Sequence, residues 1–303
     1  MKIFDIKTVL TTSAVLLITA SAVTESRAQL HPLSGIYYQN QYLVNPAMAG
    51  LKEGVLRLNL GYREQWSSMP GAPAVQALTG DYGFGNKVGL GLNLYNDKAG
   101  LLTRSRIMGT YAYHLSLNGE NEKLHFGISL GFMNERLADE DVKGDPGDVN
   151  IGRVNERETF ADGDFGAAYT SNKLTVQGAI PNLKNFFKKD DNTNIVDAST
   201  FFTAVSYKFY SEQLLNGMGI EPKVSYRGVK GYKNILDIGT NLTFADEALH
   251  LMGMYHSTRS ATFGVGIDYQ KTLSIMGMYT TETAALSGYT NGNFELALRV
   301  NLF

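Results

Sequence analysis

The chain contains no cysteine among its 303 residues and only seven prolines. The lack of cysteine excludes disulfide bonds, thiolate zinc sites and cysteine nucleophiles, and it leaves no candidate for a lipid-anchored N-terminal cysteine. Beyond Ala28 no segment approaches the roughly 18 consecutive apolar residues that a membrane helix needs. The formal net charge of −2 gives no support for nucleic-acid binding.

The first residues have the pattern of a secretory signal peptide. Lys2 and Lys7 give a positive start, and Val9–Val23 is an apolar run interrupted only by Thr and Ser. Ser26-Arg27-Ala28 places small residues at the two positions that determine cleavage. We therefore predict a signal peptide over residues 1–28, an exported protein, and Gln29 as the first mature residue.

The residues present in excess are 32 glycines, 17 tyrosines and 15 phenylalanines, which favour strands, tight turns and interfacial aromatic side chains. From position 55 onward, apolar and polar residues alternate with period two, as in strands with one dry and one wet face. The alternation predicts fourteen strands, at 55–66, 74–84, 87–96, 101–117, 122–137, 160–170, 173–180, 199–210, 218–228, 232–245, 247–257, 259–270, 272–281 and 292–303.

The connections between these strands separate a membrane barrel from a soluble β-sandwich or propeller, which would show the same alternation. If the N-terminus starts in the periplasm, the connections on that side are mostly two to four residues long. The other side has the long connections 138–159 and 181–198, together with 67–73 and 282–291. Short turns on one side and long loops on the other are typical of an outer-membrane barrel.

Aromatic residues on the predicted outer face fall into two groups, one near each end of the strands. One group is Trp66, Tyr226, Tyr232, Tyr255, Tyr279 and Phe294, and the other is Tyr82, Tyr113, Phe126, Phe209, Phe244, Tyr269 and Phe303. Aromatic girdles of this kind lie at the two membrane interfaces of a transmembrane barrel. We predict an all-β fold, an outer-membrane barrel of about 14 antiparallel strands over residues 54–303, preceded by a periplasmic or plug segment over 29–53.

The interior of such a barrel is too wide to be filled by the side chains of its own wall, so water, a plug or a partner must occupy it. Its predicted lining carries both signs of charge, which favours a cross-linked polar network over an ion-selective pore. These inward positions are Arg57, Arg63, Arg104, Arg106, Lys223, Arg227 and Arg299, with Asp81, Glu221, Asp268 and Glu295.

Three late strands predict an unusual inner surface, where four methionines flank two glycines. The members of this candidate docking patch are His250, Met252, Met254, His256, Gly264, Gly266, Met276 and Met278. Flexible thioethers suit irregular apolar partners, so the patch could dock a peptide or the protein's own N-terminal segment. A soft metal such as Cu(I) is the less favoured alternative, and no metal or other cofactor is predicted.

Catalytic interpretations are weak. His114 and Ser116 share a strand face but have no acid placed to complete a triad. The run KVGLGLN precedes no helix, so its glycines are better explained by space in the lumen than by nucleotide binding. In the acidic loop DEDVKGDPGDVN, Lys143 takes a ligand position and Asn150 replaces the closing Glu of a calcium loop, which favours a solvated loop. No enzymatic activity is predicted.

Two motifs carry a resemblance to a known family. The stretch QLHPLSGIYYQNQYLVNPAMAG leads directly into the first strand, and GAIPNL ends the seventh. Both motifs, with the strand count, resemble the PorP/SprF family of type IX secretion system outer-membrane proteins. The residues that carry the N-terminal motif are Tyr37, Tyr38, Tyr42, Asn45, Pro46, Ala49 and Gly50.

The resemblance implies a non-enzymatic barrel of the secretion and gliding machinery in the outer membrane of Bacteroidetes-type bacteria. Its implied partners, besides outer-membrane lipid, are the C-terminal domains of secreted adhesin-type proteins and the periplasmic ring and other type IX components. A rival interpretation is a transport channel for small or hydrophobic molecules, similar in strand number to outer-membrane fatty-acid transporters. A purely structural or adhesive barrel is a third.

The N-terminal motif itself predicts a plug or a periplasmic latch, with a free linker as the alternative. Its aromatic residues can pack against a surface while the polar stretch Gln39–Gln41 forms hydrogen bonds. The pair Asn45-Pro46 would end a helical turn, because the residue before proline is driven toward an extended conformation. Gly50 would then permit a sharp turn into the wall.

Overall fold

The computed structural model describes residues 35–66, 71–117, 121–137, 159–184, 199–212, 217–229, 233–282 and 291–303. The predicted signal peptide, residues 29–34 of the predicted N-terminal segment, and most of the two long connections lie outside these residues. No helix within the described ranges is both long enough and apolar enough to cross a membrane.

The described residues form fifteen antiparallel strands in one sheet, whose last strand pairs with its first. They are β1 (Leu56–Gln65), β2 (Ala74–Phe84), β3 (Val88–Ala99), β4 (Leu102–Ser116), β5 (Lys123–Leu137), β6 (Phe160–Thr170), β7 (Leu174–Ile180), β8 (Ser199–Tyr207), β9 (Phe209–Ser211), β10 (Met218–Val229), β11 (Ile235–Phe244), β12 (Leu249–His256), β13 (Ser260–Tyr269), β14 (Leu273–Thr280) and β15 (Asn293–Leu302). Strands that follow each other in sequence pair throughout, except that β8 and β9 pair with β10 and not with each other, and β1 pairs with β15. The sheet is therefore a closed barrel.

β8 and β9 occupy one place in the wall, since both pair with the same edge of β10. The wall thus has fourteen strands, which confirms the predicted barrel. The prediction of one unbroken strand over 199–210 was wrong in detail, because the chain leaves the ladder at Lys208. At this point the register places Pro222 opposite Tyr207, and proline has no N–H to donate to a ladder.

The outer face is apolar and the interior is polar, the reverse of a soluble protein. Leu60, Leu130 and Phe263 are 52%, 64% and 59% exposed on the outside, whereas Arg227 and Glu295 are fully buried within. Members of both predicted aromatic girdles are exposed on the outer face, among them Tyr82, Tyr113, Phe126, Phe209, Tyr269 and Phe303, and Tyr226, Tyr255, Tyr279 and Phe294. Hydrocarbon satisfies no backbone hydrogen bonds, and a closed sheet leaves none unsatisfied.

Residues 35–50, called here the N-terminal segment, lie inside the barrel. The segment contains a short helix, α1 (Ile36–Gln39), and two 3-10 helices, η1 (Gln41–Leu43) and η2 (Pro46–Met48). It contacts inward-facing residues on opposite walls, and its side chains complete two buried apolar clusters among the described residues. The protein therefore places its core within the lumen, between this segment and the wall.

The segment crosses the lumen from one end toward the other. Gly35 is bonded to Glu295, two positions from the end of β15 on the long-connection side. Gly50 is bonded to Asp81, near the end of β2 on the short-turn side. Short turns mark the periplasmic end of an outer-membrane barrel, so the described chain starts in the extracellular half and emerges toward the periplasm before β1.

Candidate functional site: the N-terminal segment and its seat in the lumen

Glu295 holds the start of the N-terminal segment. Its two carboxylate oxygens accept hydrogen bonds from the Gly35 N–H at 3.2 and 3.0 Å, and one of them also accepts from the Ile36 N–H at 3.0 Å. The side chain is fully buried, so these bonds are charge-assisted and shielded from water. They fix where α1 begins relative to β15.

Tyr37 is bonded to a buried polar cluster on the opposite wall. Its hydroxyl donates to Asp237 Oδ2 at 2.8 Å and lies 2.8 Å from Ser225 Oγ. Asp237 Oδ2 also accepts from Arg227 Nε at 3.1 Å. The ring of Tyr37 packs edge-on against Phe202, with centroids 5.7 Å apart. One tyrosine thus joins the segment to strands β8, β10 and β11.

The same carboxylate extends the cluster to β12, β13 and β14. Asp237 Oδ1 lies 2.7 Å from His256 Nδ1, and His256 Nε2 lies 2.7 Å from Thr262 Oγ1. Thr262 Oγ1 is in turn 2.7 Å from Thr280 Oγ1. All four side chains are almost fully buried. Arg227 opposes the charge of Asp237, which makes this burial possible.

The four methionines of the predicted docking patch form one cluster, and the N-terminal segment covers it. Met252, Met254, Met276 and Met278 are 1 to 4% exposed and pack with Ile36, Tyr37 and Tyr38. Gly264 and Gly266 make room for them, since a Cβ at these positions would lie 2.9 Å from Met278 and 2.8 Å from Met276. The structure does not unite the two histidines with this cluster: His256 binds Asp237, and His250 contacts Asn241.

The middle of the segment contacts both sides of the lumen. The Tyr38 hydroxyl donates to the Glu221 carbonyl at 2.7 Å, and Lys223 Nζ lies 4.3 Å from the centre of the Tyr38 ring. On the other side, the Tyr42 hydroxyl donates to Thr110 Oγ1 at 2.7 Å. The segment is therefore bonded to β10 and β4 at once.

Asn45 and Pro46 join two turns of the segment. As predicted, Asn45 is extended, with φ −140° and ψ 109°. Pro46 does not end the helical path but opens η2, where its fixed φ suits the first position. Asn45 Oδ1 accepts from the Ala47 N–H at 3.0 Å, and its amide donates to Gln177 Oε1 at 3.3 Å. The motif caps η2 and attaches it to β7.

Glycines in the wall let the segment lie directly on the strands. A Cβ at Gly127 would fall 2.3 Å from the Ala47 nitrogen, and one at Gly166 would fall 2.0 Å from Asn45 Oδ1. A Cβ at Gly89 would meet the Ala49 carbonyl at 2.0 Å. No larger residue fits these positions with the segment in place. Gly89 belongs to the run KVGLGLN, whose glycines thus provide space in the lumen.

The segment leaves the lumen beside the periplasmic ends of β2 to β5. Gly50 has φ +65°, a conformation that favours glycine, and its N–H donates to Asp81 Oδ2 at 2.8 Å. Next to this exit His114 and His125 face each other, with their Nδ1 atoms 2.8 Å apart.

The second family motif, GAIPNL, ends the short strand β7 inside the wall. Asn182 has φ 57°, and its N–H donates to Asp164 Oδ1 at 2.9 Å. The Lys184 N–H donates to Asp162 Oδ1 at 3.0 Å. Two inward carboxylates thus replace the strand ladder where the chain turns away from β6. Arg106 forms an ion pair with Asp164.

Sequence reasoning missed three aspartates that face inward from the wall. Asp237 holds the segment through Tyr37, and Asp162 and Asp164 hold the chain after β7. The alternation of each strand already places these side chains on its inward face. Alternation does not show, however, which residues an inward side chain contacts. Among the described residues no group of three or more His, Asp or Glu side chains could hold a metal ion.

A closed antiparallel barrel of fourteen strands, with an apolar outer face and a polar lumen, is an integral outer-membrane protein. The family model described as "Type IX secretion system membrane protein PorP/SprF" matches residues 26–300. The chain therefore belongs to the PorP/SprF family, as its two motifs predicted, and it is an outer-membrane barrel of the type IX secretion system.

Solved structures show similar barrels. The Acinetobacter baumannii outer membrane protein Omp33 is 8% identical, with 83% of this chain and 99% of that chain covered and a TM-score of 0.47. The Ralstonia pickettii toluene transporter TbuX is 12% identical, with 85% and 91% covered and a TM-score of 0.48. The monoaromatic hydrocarbon channel CymD is 12% identical, with 86% and 91% covered and a TM-score of 0.48. The likeness is one of barrel architecture alone. No curated protein sequence matches the chain.

Proposed function

We propose that this protein is a closed docking barrel of the type IX secretion machinery, which binds the C-terminal domain of secreted adhesin-type proteins at the outer membrane. In this proposal the N-terminal segment is a resident plug, and secreted proteins do not pass through the lumen. The barrel supports export or surface attachment by holding its client.

The observation that carries the proposal is the anchoring of the segment on opposite walls. Glu295 holds its start, Asp237 holds Tyr37, Thr110 holds Tyr42 and Gln177 holds Asn45. Hydrogen bonds to charged groups, such as the carboxylates of Glu295 and Asp237, contribute about 1.5 to 3 kcal/mol each. All four attachments would have to break together for the segment to leave the lumen. A conduit for polypeptides would require that departure in every cycle.

In this proposal, the predicted methionine patch is the surface on which the N-terminal segment packs. A client that docked on it would first have to displace Ile36, Tyr37 and Tyr38. We therefore place client docking outside the lumen, on the extracellular side, and assign the methionines to plug retention. Other components of the secretion machinery, including its periplasmic ring, are proposed partners on the strength of the family alone.

Single-channel recording of the purified protein in lipid bilayers tests the closed state. The proposal predicts no steady open-pore current for the full protein, and a large current after deletion of residues 29–45. A steady, large current from the unaltered protein would instead support the transport channel. If the deletion changed neither conductance nor secretion, the segment would be a free linker.

Client docking is tested separately, by co-purification with a secreted C-terminal domain fused to a soluble reporter. We expect the double variant Met252→Ser, Met254→Ser to raise conductance and to leave client recovery unchanged, because both side chains lie under the plug. Loss of client recovery in that variant would return docking to the methionine patch. Failure of the unaltered barrel to recover any client domain would overturn the docking proposal.

A further inference from the structure

The lumen is not completely filled, and a space remains between the N-terminal segment and the strands from β10 to β15. It is a polar cavity of about 210 Å³. The segment contributes Tyr38, Gln39 and Gln41 to its lining, and the wall contributes the inward side chains described below. The four methionines line none of it, so this cavity is distinct from the seat of the segment.

The cavity faces the periplasm. Lys208 lies at the break between β8 and β9, Glu247 in the turn between β11 and β12, and Lys271 in the turn between β13 and β14. All three belong to the short-turn end of the barrel. Lys208 forms an ion pair with Glu247, and their side chains are 42% and 31% exposed. A ligand can therefore reach the cavity without crossing the lumen.

Buried polar atoms on the cavity wall have no hydrogen-bond partner within the described residues. Two of them are Asn241 Oδ1 and Thr243 Oγ1, on residues that are only 8% and 6% exposed. Asp268 Oδ1 and Arg299 Nε are in the same condition, and all four residues line this cavity. A buried polar atom without a partner is unfavourable by about 1 to 3 kcal/mol. Four such atoms around one cavity define a site built to accept a polar occupant.

The charges of the lining are balanced. With Lys208 and Glu247 paired to each other, the cavity is lined by Lys271 and Arg299 on the positive side and by Glu221 and Asp268 on the negative side. A free anion or a free cation would meet as much repulsion as attraction. The occupant that fits carries both charges, together with amide groups for Asn241 and Thr243.

We propose that this cavity binds an extended polypeptide segment presented from the periplasm. A volume of about 210 Å³ is below the roughly 300 Å³ at which pockets for drug-sized ligands begin, so it holds one or two residues of a chain rather than a folded domain. An acidic side chain meets Lys271 and Arg299, a basic one meets Asp268 and Glu221, and the peptide groups bond to Asn241 and Thr243. The proposal is independent of client docking, which concerns the extracellular side.

Ligand-observed NMR on the full protein in detergent tests the site with capped tripeptides. The probes are Ac-Glu-Gly-Lys-NH2 and Ac-Lys-Gly-Glu-NH2, and the uncharged Ac-Gln-Gly-Gln-NH2 is the reference. We expect at least one charged peptide to show saturation transfer and the uncharged one to show little. Asp268→Asn and Lys271→Gln should each weaken binding about tenfold, because each removes one charge-assisted contact.

Both substitutions keep the size of the side chain, Lys271 is exposed in a turn, and Asp268 Oδ1 has no hydrogen bond to lose, so we expect both variants to fold. Glu212→Gln is the matched control: it removes a charge from an exposed residue at the same end of the barrel, outside the cavity, and should bind as the unaltered protein does. The proposal is overturned if charged and uncharged peptides bind alike, if Asp268→Asn changes nothing, or if neither charged peptide shows saturation transfer. Binding of free lysine or glutamate without binding of the capped peptides would replace the polypeptide with an amino acid.

Discussion

The Tyr37 hydroxyl donates a 2.8 Å hydrogen bond to the Asp237 carboxylate, 200 positions further along the chain. Asp237 is also the acceptor for Arg227 and the partner of His256. One buried carboxylate thus both holds Tyr37 of the segment and opposes the charge of Arg227.

Replacing Asp237 with Asn should destabilise the barrel by about 3 to 5 kcal/mol, since it removes a charge that opposes the buried guanidinium of Arg227. The temperature at which the folded band disappears in semi-native electrophoresis measures the change. Tyr37→Phe, which removes only one hydroxyl, should lower stability by about 1 kcal/mol. Equal melting temperatures for Asp237→Asn and the unaltered protein would show that the cluster is not structural.

Replacing Glu295 with Gln should loosen the start of the segment while the wall stays closed. The amide keeps the shape of the side chain but loses the charge that strengthens its bonds to Gly35 and Ile36. We expect brief open-pore events in bilayer recordings, absent from the unaltered protein. Glu64→Gln on the outer side of the same strand pair is the control and should remain silent; events of equal frequency in both variants would argue against the anchor.

Replacing Gly127 with Val should push η2 off the wall, because even the first side-chain carbon would fall 2.3 Å from the Ala47 nitrogen. Overpacking of this kind typically destabilises by about 1 to 3 kcal/mol. Thermal melting should therefore shift downward, and conductance should rise. Gly253→Val is the matched control, since a Cβ there meets nothing within 4 Å. If both valine variants melt alike, Gly127 does not support the segment.

High pH should release the segment. Burial raises the pKa of Tyr37, Tyr38 and Tyr42 well above the ordinary tyrosine value. The docked segment therefore holds its phenolic protons more tightly than a released one. Docking is fully favoured below about pH 10, where an exposed tyrosine ionises, and weakens as pH rises toward the raised values. Conductance recorded from pH 8 upward should increase above about pH 10.

The variant Tyr38→Phe, Tyr42→Phe separates this effect from general alkaline damage. With two of the three ionisable phenols removed, its conductance should rise less steeply with pH than that of the unaltered protein. Identical profiles would show that tyrosine ionisation does not control release.

Local patterns in the sequence were sufficient to predict the strands of the barrel wall. The predicted strands 74–84 and 160–170 coincide with β2 and β6, because alternation is a property of neighbouring residues and needs no knowledge of the rest of the chain. The break at Lys208 was missed, since it arises where Pro222 lies on the adjacent strand. The motif YYQNQYLVNPAMAG indicated the family for a similar reason: its spacing is local.

By itself the sequence determined that the chain closes into an outer-membrane barrel, which residues face inward, and which family it belongs to. Only the tertiary structure decided what those inward residues meet. Closure of the barrel and the register of its strands set the positions of Glu295, Asp237 and Gly127 along the barrel axis. Those positions determine the path of the N-terminal segment. Contacts between residues 200 positions apart have no local signature, because they depend on the shape of the lumen as a whole.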